Sequence, residues 1–275
     1  MTTTNAVVGY IKQDAVVGRV NELLQDRAPQ FLTSLTTAIN ENDKLAACEP
    51  NSVLTAALTA ASLDLPINQN LGFAYLIPYN GKRKVKGENG KDQWVETQTC
   101  QFQMGYKGFV QLAQRSGFYK TINATDVREG EIESNDRLSG EITFNWLEPE
   151  EREKAPIIGY VAYFKLLNGF EKMFYMTSEE LNSHARKYSK NFAKWNSGLW
   201  KDDFDSMAKK TVLKLLISKF GPLNTKLQNA LVEDQKVDGK YIDNPNTVVM
   251  EDAELGSSEE AEDANEYNND NKEDK

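Results

Sequence analysis

Histidine is almost missing: His184 is the one histidine in 275 residues, so any mechanism that needs two is excluded. Cysteine is nearly as scarce. Cys48 and Cys100 are far apart in the chain, and neither has a Cys or His neighbour at metal-ligand spacing. That argues against a zinc site and against a disulfide framework, and it fits a reducing cytoplasm. No run approaches the roughly 18 apolar residues of a membrane-spanning helix. Met1–Tyr10 is polar and has no basic region leading into an apolar run, so no signal peptide is expected. A phosphate-cradling Walker A loop is lacking too. Gly87-Glu88-Asn89-Gly90-Lys91 has its glycines too close together and runs into Asp92. There is no Gly-x-Ser-x-Gly elbow and no internal repeat.

What is present is globular: 40% hydrophobic and 10% aromatic residues. The net charge of −9 hides an asymmetry. Residues 233–275 carry 15 acids and 4 bases, whereas residues 1–232 carry 26 acids and 28 bases. The chain therefore divides into a folded body, 1–232, and an acidic tail, 233–275, too poor in apolar residues to offset its chain entropy and expected to be disordered. Two readings of the tail stay open: a solubility device, or a segment that docks partners or mimics DNA. Within the body the charges sort into blocks. Residues 181–226 hold ten bases against three acids, 82–120 hold eight against three, and 126–153 hold ten acids against three bases. Such sorting can present a basic groove on an acidic protein.

The periodicity predicts an amphipathic helix over 15–40, broken or restarted at Pro29. A second follows over 51–63, with Ala56, Ala57, Ala60 and Ala61 suited to close packing and Pro66 as a stop. Residues 71–79 and 94–104 read as the arms of a long hairpin with a basic tip. A helix over 105–117 places Lys107, Gln111 and Arg115 along one polar side. Strands are expected over 119–127, 141–147, 157–167 and 173–176. Two further helices are expected, Ser178 to Lys190, capped at Thr177 or Ser178, and Asp205 to Phe220. The fold class is α+β, an antiparallel sheet packed with helices.

Catalysis has no strong candidate. Asp126, Glu129, Glu131, Glu133 and the stretch 151–154 could hold magnesium for a nuclease, but they lie in polar, turn-like sequence where solvated loop charge is the ordinary explanation. His184, beside Ala185 and Arg186, reads as a surface or DNA-facing residue. Binding is better represented. Lys82, Arg83, Lys84 and Lys86 accompany Tyr75, Tyr79 and Trp94. Arg186, Lys187, Lys190, Lys194 and Lys201 alternate with Tyr188, Phe192, Trp195 and Trp200. Cations neutralise phosphates and aromatic faces stack on unpaired bases, the chemistry of sequence-indifferent single-strand binding. A charged helix face over core aromatics would give the same pattern.

Three strings decide between these readings: LDLPINQNLGFAYLIPY, QFQMGYKGFVQLAQRSG and WKDDFDSMAKKTVLKLLISKFGP. In this order they resemble the RecT family of phage recombinases, related to the Red-beta protein of phage lambda, over roughly residues 20–225. The resemblance implies an ATP-independent annealing protein, not an enzyme, with no cofactor or metal. It would coat single-stranded DNA, hold the annealed duplex intermediate and form rings or helical filaments around an annealing-protein-like core. A phage 5′→3′ exonuclease is the implied partner, with a host single-strand binding protein as another, all in the cytoplasm of a bacterial host. By the same resemblance Lys107, Arg115, Lys209 and Lys210 contact backbone phosphates, with Arg186, Lys187, Lys190, Lys214 and Gln111 in the same groove. Tyr106, Phe192 and Trp200 are the expected stacking faces, and Gly105 and Gly108 the points of close backbone approach. A passive single-strand coat and a metal-dependent nuclease are the competing classes.

Overall fold

The computed structural model describes residues 6–86, 92–136, 138–234, 236–237 and 240–241, with the backbone alone at 82–86, 92–94, 190, 236–237 and 240–241. The basic hairpin tip, the Trp94 and Lys190 side chains and the acidic residues 242–275 lie outside the described residues.

Five helices open the chain: α1 (Ala6–Ile11), α2 (Asp14–Leu24), α3 (Ala28–Asn40), α4 (Asp43–Ala46) and α5 (Pro50–Ser62). The expected break near Pro29 is a 3₁₀ turn over Gln25–Arg27, and Pro29 sits in the first turn of α3, where its missing N–H leaves no helical bond unmade. Val16, Val20 and Leu24 of α2 and Phe31, Leu35 and Ile39 of α3 turn inward together. Helix α5 buries Val53, Ala56, Ala57 and Ala60 against the hairpin formed by β1 (Ala74–Lys86) and β2 (Asp92–Met104). Small side chains let the backbones approach: the Glu49 N–H donates to the Gln98 carbonyl at 2.7 Å, and the Cys100 N–H donates to the Ser52 hydroxyl at 2.9 Å. Cys48 and Cys100 are both free and buried at this junction. Burial pushes the Cys48 thiol up to about 11 and raises that of Cys100 as well.

Helix α6 (Tyr106–Arg115) leads into β3 (Tyr119–Arg128), the small hairpin β4 (Ile132–Asp136) and β5 (Glu141–Phe144), and α7 (Pro149–Lys154). Strands β6 (Ile157–Leu166) and β7 (Glu171–Thr177) complete an antiparallel sheet in the order β3-β6-β7. Central β6 aligns Ala162 with Ala124 on one side and Phe174 on the other. The cap of α8 (Ser178–Tyr188) resolves to Thr177, whose hydroxyl accepts from the Glu180 N–H at 3.1 Å while the Glu180 carboxylate accepts from the Thr177 N–H at 2.8 Å. Such a cap contributes about 1 kcal/mol. The short helices α9 (Lys190–Trp195) and α10 (Leu199–Asp202) precede α11 (Phe204–Phe220) and α12 (Thr225–Glu233). Helix α11 lies against β3, β6, β7 and α6. Everything from Lys210 through Ile217 is buried, the pattern of a central core helix. The strands β8 (Lys236–Val237) and β9 (Lys240–Tyr241) pair with each other.

Two expectations need correction here. The acids at 126–153 are not simply solvated loop charge. Asp126 lies on β3, Glu131 is wholly buried, and both are held by arginine. Arg128 Nε meets Asp126 at 2.8 Å, Arg152 reaches Asp126 at 3.0 Å and Glu131 at 2.9 Å, and the Arg128 N–H donates to Glu131 at 2.7 Å. Sequence spacing hides this closure because Arg152 arrives from α7, which the periodicity did not suggest. The folded body also runs past 232, since α12 ends at Glu233 and Asp234 is buried. Among the described residues no helix is long and apolar enough to cross a membrane.

Candidate nucleic-acid interface

Helix α6 starts at Gly105 for a steric reason. The Gly105 N–H donates to the Phe73 carbonyl at 2.9 Å. A Cβ at Gly105 would overlap the Gly72 carbonyl, and one at Gly108 would overlap the Phe73 carbonyl. The helix is thus pressed onto the segment leading into β1. Gly108, Phe109, Leu112 and Ala113 face the core, a spacing that follows the helical period. Lys107 and Arg115 are left exposed and Gln111 half-buried. The Lys107 stem lies near Gly72, so its aliphatic part is covered and its ammonium reaches solvent. Arg115 is steadied by a hydrogen bond from Nη1 to the Asp64 carbonyl at 2.8 Å. Tyr106 is not an open stacking face: its ring packs on the core and its hydroxyl accepts from the Ala124 N–H at 3.2 Å. Lys209 lies close enough to Tyr106 to influence its hydroxyl. It is half-buried and paired with Asp205 at 2.7 Å, one turn away on α11.

A second cationic group occupies α8 to α10. Arg186, Lys187, Lys194 and Lys201 are exposed. The Arg186 guanidinium stands 5.5 Å from the Phe192 ring centroid and the Lys187 ammonium 5.0 Å from that of Tyr188, distances at which a cation is attracted to the π face. The aromatics expected to stack on bases are inside. Phe192 and Trp200 are buried, with Trp200 set between Phe192, His184 and Phe204. The exposed ring of this region is Trp195, at 68%. The run Lys190–Trp200 contains both indoles, and helical period alone cannot tell which one turns inward, because Asn196 at φ 48° breaks the helix between them.

Lys210 and Lys214 also change place. The run MAKKT suggests adjacent phosphate contacts, but Lys210 and Lys214 are buried one turn apart on α11 around one carboxylate. Asp234 lies 2.5 Å from the Lys214 ammonium and 3.6 Å from that of Lys210, and it accepts from the Met104 N–H at 2.8 Å. Burial lowers the Lys210 pKa, and the neighbouring Lys214 charge adds to the effect while Asp234 opposes it. These amines hold α12, α11 and the end of β2 together and do not belong to the exposed surface.

Sequence reasoning assigned no role to Arg27 and counted Lys226 only within the basic block 181–226, although both reach the neighbourhood of Arg115. Each pairs with the Asp64 carboxylate. Arg27 is distant from the basic blocks in sequence, so only the fold brings it to this place.

The three-motif resemblance is matched by comparison with known proteins. The chain is 40% identical over 228 residues to the uncharacterized protein YqaK of Bacillus subtilis (strain 168), covering 83% of this chain and 72% of that one. It is 28% identical over 246 residues to Protein RecT of Escherichia coli (strain K12), covering 86% of each. The RecT family model matches residues 29–249, reaching further into the acidic region than the motifs do. With that match spanning most of the sequence, this chain belongs to the RecT family.

Proposed function

We propose that the chain is an ATP-independent annealing protein. It holds single-stranded DNA by its phosphates along an exposed cationic surface and leaves the bases free to find a complement. The observation that carries the reading is the α6 row, in which Lys107 and Arg115 are exposed on a helix clamped in place by Gly105 and Gly108. It is supported by membership of the RecT family and by a sequence without a nucleotide-binding loop. Ammonium and guanidinium groups displace condensed counterions from phosphates whatever the base sequence, and Arg186 and Lys187 extend the same chemistry to α8.

In this mechanism a second strand samples registers against the first. Watson–Crick pairing and stacking, about 1.4 kcal/mol per step, supply the free energy, so no fuel molecule is consumed. Repeated copies along a strand, as rings or filaments, align many such surfaces and make affinity grow with strand length. A 5′→3′ exonuclease that exposes single strands, and a host single-strand binding protein, are the partners this activity calls for.

The test is annealing of complementary labelled oligonucleotides in buffer with EDTA and no nucleotide. Faster pairing with strand length unchanged is the expected result. Slower pairing would identify a passive coat, shortened strands with magnesium a nuclease, and either would refute the proposal.

A further inference from the structure

The turn after α5 carries a carboxylate in a conformation that favours glycine. The Asp64 N–H donates to the Ala61 carbonyl and the Leu65 N–H to the Ala60 carbonyl, each at 3.0 Å, which together form the Schellman ending of a helix. The residue at its left-handed position is usually glycine; here it is Asp64, with φ 55°. Pro66 follows, as is common after such an ending. A side chain there costs backbone energy, and a negative charge is unfavourable at the negative end of the helix dipole. Two local penalties at one residue point to a role for its carboxylate.

That carboxylate gathers cations. Arg27 from the 3₁₀ turn and Lys226 from α12 both pair with it, and its carbonyl accepts from Arg115 at the end of α6. Three exposed cations from three elements thus meet at one aspartate, two on its carboxylate and one on its carbonyl, with two positive charges in excess. Hydrogen bonding to Lys226, then to Arg27, holds the Asp64 carboxyl below the ordinary aspartate range. Unlike Lys214, these cations are open to solvent: the Arg27 and Lys226 side chains are 58% and 55% exposed.

We infer that Arg27, Arg115 and Lys226 form a phosphate-binding station at the end of the α6 row, with Asp64 as its internal stand-in for a phosphate. This rests on the proposed strand binding and adds Arg27 and Lys226 to it. In the free protein Asp64 keeps the cations converged. On binding, a backbone phosphate takes over the Arg27 and Lys226 contacts while Arg115 stays anchored by the Asp64 carbonyl.

The test is binding of a labelled oligothymidylate by the full chain over a range of salt concentrations, with thermal melting as a fold control. R27A/K226A is expected to weaken binding and reduce the salt slope by about 0.7, the amount for one phosphate no longer neutralised. D64G removes the competing carboxylate where the backbone prefers glycine. It is expected to tighten binding about two- to tenfold, the range for releasing exposed ion pairs. D64N provides the same loss of charge with a residue tolerated in this conformation. An unchanged slope for R27A/K226A, with K107A still reducing it, overturns the station and leaves the strand-binding reading standing. Weaker binding by D64G and D64N makes Asp64 a structural clamp alone and overturns the stand-in role. If the unaltered chain does not bind the strand, the broader reading falls first.

Discussion

Two aspartates in this protein each collect cations, and they do so in opposite surroundings. Asp234 sits in the core between Lys210 and Lys214, whereas Asp64 sits at the surface between Arg27 and Lys226. In the core the ions have been stripped of water, so each charge depends on its partner and the cluster binds elements together. At the surface the same pairing is weak and exchangeable, which leaves the cations available to a phosphate. Position in the fold, not residue type, separates lysines that hold the structure from lysines that can meet a ligand.

The largest test of that contrast is D234A, which strands two ammonium groups in the interior. It should cost about 3–5 kcal/mol of stability in chemical denaturation, whereas D64N should leave the melting temperature nearly unchanged. Similar losses for both would break the distinction. Truncation after Leu231 should resemble D234A, and truncation after Tyr241 should not. The indoles give a parallel pair. W200A should lose about 3–5 kcal/mol of stability. W195A should leave stability within about 0.5 kcal/mol but weaken strand binding by about 1–3 kcal/mol if the exposed ring stacks on a base. Melting and titration of the two variants decide it.

Smaller effects sharpen the picture. K107A and R115A should each lower the salt slope of strand binding by about 0.7 without changing the fold, read from titrations at several salt concentrations. Acid should loosen the Asp126 cluster. Burial raises the Asp126 pKa, but hydrogen bonds from Arg128 and Arg152 outweigh it and leave the folded value below 3.8. Its contribution is therefore complete above that pH and lost as pH falls below it. Stability curves measured downward from pH 5 should show the loss, and R152Q should reduce it.

Much of the architecture was legible in local pattern. The break at Pro29, the long hairpin, the α6 stripe of Phe109, Leu112 and Ala113, and the Thr177 cap follow from turn chemistry and periodicity, which act over a few residues. Helix α12 was missed although Asn224 caps it and Leu227, Ala230 and Leu231 keep helical spacing; other missed elements lack those signals. Helix α7 reads PEEREK and buries nothing, and α9 and α10 are too short to show a period. Site reading failed for the same reason in each case. The exposure of Lys107 and Arg115 was legible because one helix carries both. The exchange of Trp200 for Trp195, the burial of Lys210 and Lys214, and the convergence of Arg27 on Asp64 depend on contacts between residues far apart in sequence. The pair Arg27 and Asp64 is 37 residues apart, and Lys226 and Asp64 are 162 apart.

The sheltered junction of α5 and β2 has a practical consequence. A thiol must ionise and be reachable to attack an electrophile, and both native thiols are covered and held protonated. Maleimide dyes should therefore pass over Cys48 and Cys100 in the folded chain. A cysteine introduced at position 194 or 201 would then take the label alone, and its fluorescence could follow strand capture without any native residue being removed.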